Sequence, residues 1–130
     1  MKALLPSGWP RPKGYSNGIS ARGRIIVTAG VIGWNDREEI VTDDLPGQLR
    51  QILVNTLGIL AEDDAGPEHI VRMTWYVTDL DAYRNGLAEI GAIYREIVGR
   101  NYPAMAVVGV TGLVEPKAKI EIETMAVVPE

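Results

Sequence analysis

From residue 45 to residue 60, apolar side chains return every three or four positions. Leu45, Leu49, Ile52, Leu53, Leu57 and Leu60 fall on one stripe together with Thr56, the spacing of an amphipathic helix. Asp44 stands where an N-cap belongs, Pro46 fits only a first turn, and Gly66-Pro67 marks the stop. A second stripe, Tyr83, Leu87, Ile90, Tyr94, Ile97 and Val98, predicts another continuous helix, with Asp79 or Asp81 before it and Gly99 after it. Elsewhere the period drops to two. Ile70 to Val77 reads as a strand with Val71, Met73, Trp75 and Val77 on one face and Ile70, Arg72, Thr74 and Tyr76 on the other. Met105 to Val110 and Ala118 to Val128 read as two more strands. The latter alternates Ala118, Ile120, Ile122, Thr124 and Ala126 against Lys117, Lys119, Glu121 and Glu123.

Near the start, Ile19 to Ala21 and Arg24 to Ala29 flank Arg22-Gly23, the pattern of a tight hairpin. The β-branched run Ile25, Ile26 and Val27 predicts a strand buried on both faces. Pro6, Pro10, Pro12 and Gly14 make residues 1–16 an extended arm, and Gly30 to Asp44 a loop follows from Gly33, Asn35 and Asp36. The expected order is β-β-α-β-α-β-β, an α+β fold in one domain spanning 1–130. Strand-helix-strand crossovers are right-handed, which puts both helices on one face of the sheet. The uncovered face then carries large groups, either Val71, Met73 and Trp75 or Ile70 and Tyr76. A bare apolar sheet face is usually an interface, so a homo-oligomer is expected.

Composition narrows the chemistry. The 130 residues include 13 Lys and Arg against 17 Asp and Glu, a formal charge of −4, which argues against a nucleic-acid backbone binder. No Cys is present, so disulfides, zinc-thiolate sites and a thiol nucleophile are out of reach, and a cytoplasmic protein is expected. The single His69 allows no multi-histidine metal site and reads as a surface residue. The apolar start from Met1 to Leu5 ends at Pro6, well short of the ~20 residues of a membrane span. No GxSxG elbow, GxGxxG or P-loop is found. Asp43-Asp44 and Asp63-Asp64 read as helix-end charges rather than metal ligands. Glu121 and Glu123 share a strand face with Lys117 and Lys119, which reads either as charge pairing or as a catalytic carboxylate.

Several segments carry a resemblance. PKGYSNGI, IIVTAGVIG, QLRQILVNTLGIL, IVRMTWYVTDLDAY, NYPAM and KIEIETMAVV occur in the order that is typical of the Rid (RidA/YjgF) family of enamine/imine deaminases. The match covers about Pro12 to Val128, and the chain is identified as resembling that family. The resemblance implies a chorismate-mutase-like fold, a homotrimer with sites in the clefts between subunits, and a small-molecule ligand; water addition to an imine requires no cofactor or metal, and the charge and hydropathy above lead to the expectation of neither a nucleic-acid nor a membrane partner. It matches the family's pocket-closing Tyr to Tyr15, its site-lining backbone to Ala29, Gly30 and Val31, and its water-positioning Glu to Glu121. Trp34 is either an apolar wall beside Tyr15 or a packing residue.

One position departs. Where the family places an Arg that forks onto the substrate carboxylate, the triplet here reads Pro103-Ala104-Met105, followed by Ala106 and Val107 in place of the common Ser and Cys. A thioether offers soft apolar surface and no donor. The expectation is hydrolysis of an imine or enamine other than 2-aminoacrylate, with a non-catalytic ligand-binding trimer as the alternative. Arg24, Arg72, Arg95 and Arg100 are the candidates to replace the missing anchor.

Overall fold

The computed structural model describes all 130 residues. Its centre is a four-stranded sheet of β3 (Arg24–Val27), β4 (Ile70–Val77), β5 (Ala104–Gly109) and β6 (Ile120–Val128), in the spatial order β3-β6-β4-β5. β6 runs antiparallel to both neighbours, and β4 pairs with β5 in parallel. β1 (Lys2–Ala3) and β2 (Ile19–Ser20) form a separate ribbon. Two long helices, α1 (Leu45–Ala61) and α3 (Leu87–Ile97), pack on one face, preceded in the second crossover by the short α2 (Leu80–Asn85). No helix is long and apolar enough to cross a membrane.

Three expectations are corrected. The hairpin at Arg22-Gly23 does not form, because β2 takes β1 as its partner and β3 takes β6. Gly23 serves a close approach instead: with φ at +148°, a Cβ there would lie 2.1 Å from the Val128 carbonyl oxygen. The second helix is broken at Gly86, whose φ of −104° and ψ of 12° end α2 and cap α3. The run Ile25-Ile26-Val27 is buried on one face only, with Ile25 65% and Val27 64% exposed on the other.

The alternation of β4 is also interrupted. A bulge at Val71 shifts the register, so Ile70 pairs with Ala126 while Arg72 pairs with Met125. Ile70, Met73, Trp75 and Val77 are buried in the core beneath the helices with Ile120, Ile122 and Ala126. The open face therefore carries Arg72, Thr74 and Tyr76 on β4, opposite Met125, Glu123 and Glu121 of β6. Its surplus apolar surface comes instead from Ile25, Val27, Val108 and Met125, all exposed.

Asp44 caps α1 as its position suggests. Its carboxylate accepts from the Gly47 amide at 2.9 Å and from the Thr42 hydroxyl. These bonds hold the Asp44 carboxyl below the usual carboxylate range, the hydroxyl contributing most. A depressed folded-state value means that this stabilisation is present above the unfolded value of 3.8 and fades as the pH falls below it. Asp44→Ala is expected to cost about 1 kcal/mol at neutral pH, with the difference from wild type shrinking in urea titrations taken below pH 4.

Candidate functional site

The candidate residues divide into two clusters on opposite faces of the sheet. On the open face, Glu121 sits across the ladder from Tyr76 and over the backbone of Gly30. A Cβ at Gly30 would lie 2.2 Å from Glu121 Oε2, so the glycine is what leaves space for the carboxylate. Ala29 and Gly30 are both exposed beside it. Glu121 makes neither an ion pair nor a side-chain hydrogen bond, whereas Glu123 accepts from the Tyr76 hydroxyl at 2.6 Å. That bond to Glu123 is the leading reason the Tyr76 hydroxyl titrates above its ordinary value. Of the two strand carboxylates, Glu121 is the one with its lone pairs free.

Val31 follows directly in the chain. Its side chain belongs to the core, and its N–H and C=O are both spent on Ile122, at 2.8 and 3.0 Å. Trp34 is half-buried, and its carbonyl accepts from the Asn55 side chain at 2.8 Å, which fastens it to α1. It does not join the residues of the cavity described next.

On the helix-covered face, a cavity of about 450 Å³ opens between β5 and α3. Met105 and Val107 form its strand wall, next to Trp75 on β4, and Tyr15 lies at its edge. Ala106, between them, turns to the open face with Thr74. The cavity thus gathers Tyr15, Met105 and Val107, while Ala29, Gly30, Glu121 and Ala106 lie on the other side of the sheet.

Much of the cavity wall lay outside the expected site: Trp75, Tyr83, Leu87, Ile90, Tyr94 and Tyr102, with Lys13, while Arg95 was among the candidate anchors. The second helical stripe held the signal for four of them, Tyr83 on α2 and Leu87, Ile90 and Tyr94 on α3. The aromatic rings brace one another. Tyr94 and Tyr102 stack with centroids 5.8 Å apart, and Trp75 meets Tyr83 edge-on at 6.4 Å. Burial pushes the Tyr83 and Tyr94 hydroxyls above their ordinary range, so both stay neutral. The Tyr94 hydroxyl donates to the Asn101 carbonyl, while the indole N–H of Trp75 is buried with no partner.

Tyr15 is positioned by the arm. The Ser16 amide donates to Pro103 O at 2.9 Å and its hydroxyl to Tyr102 O at 2.6 Å, laying the arm beside the start of β5. Residues 1–16 are therefore not a free extension. Their start pairs as β1 with β2, just beyond the arm, and Lys13, Gly14 and Tyr15 close one side of the cavity. No cluster of His, Cys, Asp and Glu that could hold a metal ion is present.

Comparison with known proteins gives a consistent answer. The family model described as Endoribonuclease L-PSP matches residues 10–128. A RutC family protein of Pyrococcus horikoshii is 35% identical over 128 residues, covering 96% of each chain. A Salmonella typhimurium protein named 2-iminobutanoate/2-iminopropanoate deaminase is 32% identical over 114 residues, 87% of this chain and 86% of its own. Among solved structures, the Rid family protein YyfB of Yersinia pestis, of unknown function, superposes with a TM-score of 0.86 at 31% identity over 98% of both chains. The Escherichia coli YjgF gene product superposes at 0.70, also at 31% identity and 98% coverage. Sequence coverage and shared fold together show that this chain belongs to the RidA/YjgF (Rid) family.

Proposed function

We propose that the protein is a hydrolytic deaminase of a reactive imine or enamine, acting at sites completed between copies of the chain in a homotrimer. The observation that carries this reading is the division of the site over two faces of one sheet. Glu121 with Gly30 and the Tyr15–Met105 cavity cannot meet within one protomer. They become parts of one site when the carboxylate of one copy faces the cavity of the next. The exposed Ile25, Val27, Val108 and Met125 supply apolar surface for that association. A relative that bears the name of an imine deaminase, at 32% identity, supports the reaction class.

The chemistry asks little of the protein. An imine carbon is already electrophilic. Glu121 takes a proton from water as the water oxygen bonds to that carbon, and the proton passes on to nitrogen. The hydroxyl then gives up its proton, nitrogen takes up one, and the C–N bond breaks, releasing ammonia and leaving a carbonyl, with no change of oxidation state. Main-chain groups at Ala29-Gly30 would hold the nitrogen end, and Tyr15 would form an apolar wall. Met105 sets the substrate. A carboxylate next to the imine would meet a thioether, where a guanidinium would contribute about 2–5 kcal/mol.

The test is a panel of imines generated freshly by an amino-acid oxidase, followed by their disappearance, alongside light scattering. Larger imines should be consumed, and 2-iminopropionate at least about thirtyfold more slowly, the lower end of that energy range. Met105→Arg should recover part of the small-substrate activity. Scattering should give three times the 14.2 kDa of one chain. A stable monomer at micromolar concentration overturns the shared site. The apolar lining around Met105 favours a second reading, a non-catalytic ligand-binding trimer, which ligand binding without turnover of any imine would establish.

A further inference from the structure

The cavity wall has an uneven charge. Of its 13 residues, 9 are hydrophobic, two are the cations Lys13 and Arg95, and none is Asp or Glu. In a chain with 17 acidic and 13 basic residues, a mouth to which the same protomer brings two cations and no acid runs against the composition. Arg24, Arg50 and Arg84 are each paired with a carboxylate. Arg95 and Lys13 make neither an ion pair nor a hydrogen bond, and Glu96, the acid next to Arg95, is already engaged by Arg50.

Arg95 is also given its position. Gly91 precedes it by one helical turn, and a Cβ there would lie 3.1 Å from the Arg95 guanidinium. The missing side chain lets the guanidinium fold back over α3 to the cavity rather than away from it. Both cations are exposed and the aromatic interior is not, so the charge stands at the mouth with an apolar volume beneath it. Of the four Arg considered as replacement anchors, Arg24 is held by Asp63, Arg72 lies on the open face, and Arg100 does not reach this wall.

The geometry points to a ligand class: an aromatic or bulky apolar body that fills the cavity, carrying one anionic group on a spacer, held at the mouth by Arg95 and Lys13. At about 450 Å³ the cavity falls in the range that takes multi-ring or long-chain ligands. A three-carbon imino acid anchored at the mouth would leave the aromatic interior unfilled. The step from ligand to substrate rests on the deaminase reading above; the binding itself does not.

The experiment is calorimetric titration of the intact protein with three probes: 3-phenylpropionate, its neutral amide and propionate. 3-Phenylpropionate should bind at least about tenfold more tightly than its amide, the lower end of what a hydrogen bond to a charged group contributes, and at least about tenfold more tightly than propionate, which leaves the apolar interior unfilled. Arg95→Gln should cost that same factor for the acid and leave the amide unchanged, with Lys13→Gln acting in the same direction. Both substitutions are at exposed positions, and the unaltered amide affinity confirms an intact cavity. Equal binding of acid and amide by the wild type, or of 3-phenylpropionate and propionate, overturns the inference without any variant. The two readings separate cleanly. Binding in the expected order with no imine consumed overturns the deaminase reading alone, whereas imine turnover with no discrimination among the probes overturns this one alone.

Discussion

Glu121→Gln lowers imine turnover by about 10²–10⁴-fold, the contribution of a positioned general base, while Glu123→Gln changes it by no more than a few fold. The two residues are chemically identical and two positions apart on β6, and both face the open side of the sheet. Their surroundings differ. Glu123 is engaged by the Tyr76 hydroxyl, whereas Glu121 has no hydrogen-bond partner and lies over Gly30. Glutamine keeps the shape and loses the ability to take a proton, so binding should persist as the rate collapses. Gly30→Ala gives an independent check, since the added methyl would occupy the carboxylate's place. Steady-state rates on the best imine of the panel decide it, and equal effects at 121 and 123 would mean that the base is elsewhere.

The second large effect is on stability. Gln48→Leu is expected to destabilise the fold by about 3 kcal/mol, because three partly buried main-chain groups lose their partners at about 1 kcal/mol each. Gln48 is fully buried. Its amide nitrogen donates to Thr42 O at 2.9 Å and Lys117 O at 3.0 Å, and its oxygen accepts from the Lys119 amide at 2.8 Å. One side chain thereby ties the first turn of α1 to the loop before it and to the entry of β6, two residues from Glu121. Leucine fills the same volume and satisfies none of these groups. Thermal unfolding should show a midpoint more than about 10 °C lower, and a drop of only a degree or two would mean that water or a shifted loop replaces the bonds.

Gln48 also shows where sequence reading stops. On the helical stripe it stands beside Leu49 as one polar residue among apolar ones, and nothing local says that its partners lie 69 and 71 residues away. α1 was legible to within a residue because its apolar period, its Asp44 cap and its Pro46 all agree. β6 was legible for the same reason, its alternation being uninterrupted. The split at Gly86 was not, since the apolar stripe runs through it unbroken. The bulge at Val71 escaped because one extra residue leaves the composition of a strand unchanged. As for the site, resemblance supplied Tyr15, Gly30 and Glu121, whose arrangement depends on the sheet's two faces. The aromatic cavity depends on residues of the arm, β4, β5 and α3 meeting in space, which no single periodic segment announces.

The strand order has a consequence for how the protein comes into being. β6, the last strand in chain order, lies between β3 and β4, and Arg24 finds its ladder partner in Val128, more than a hundred residues later. Until residues 120–128 leave the ribosome, β3 has no neighbour in the sheet and β4 has only β5. β3 must therefore wait, unpaired, for residues 120–128, and loop closure over that span makes the step slow. During synthesis the exposed row of Ile25 and Val27 is free to meet other nascent chains before its own sheet exists. The same row that would join finished subunits is thus left open while the chain is being made.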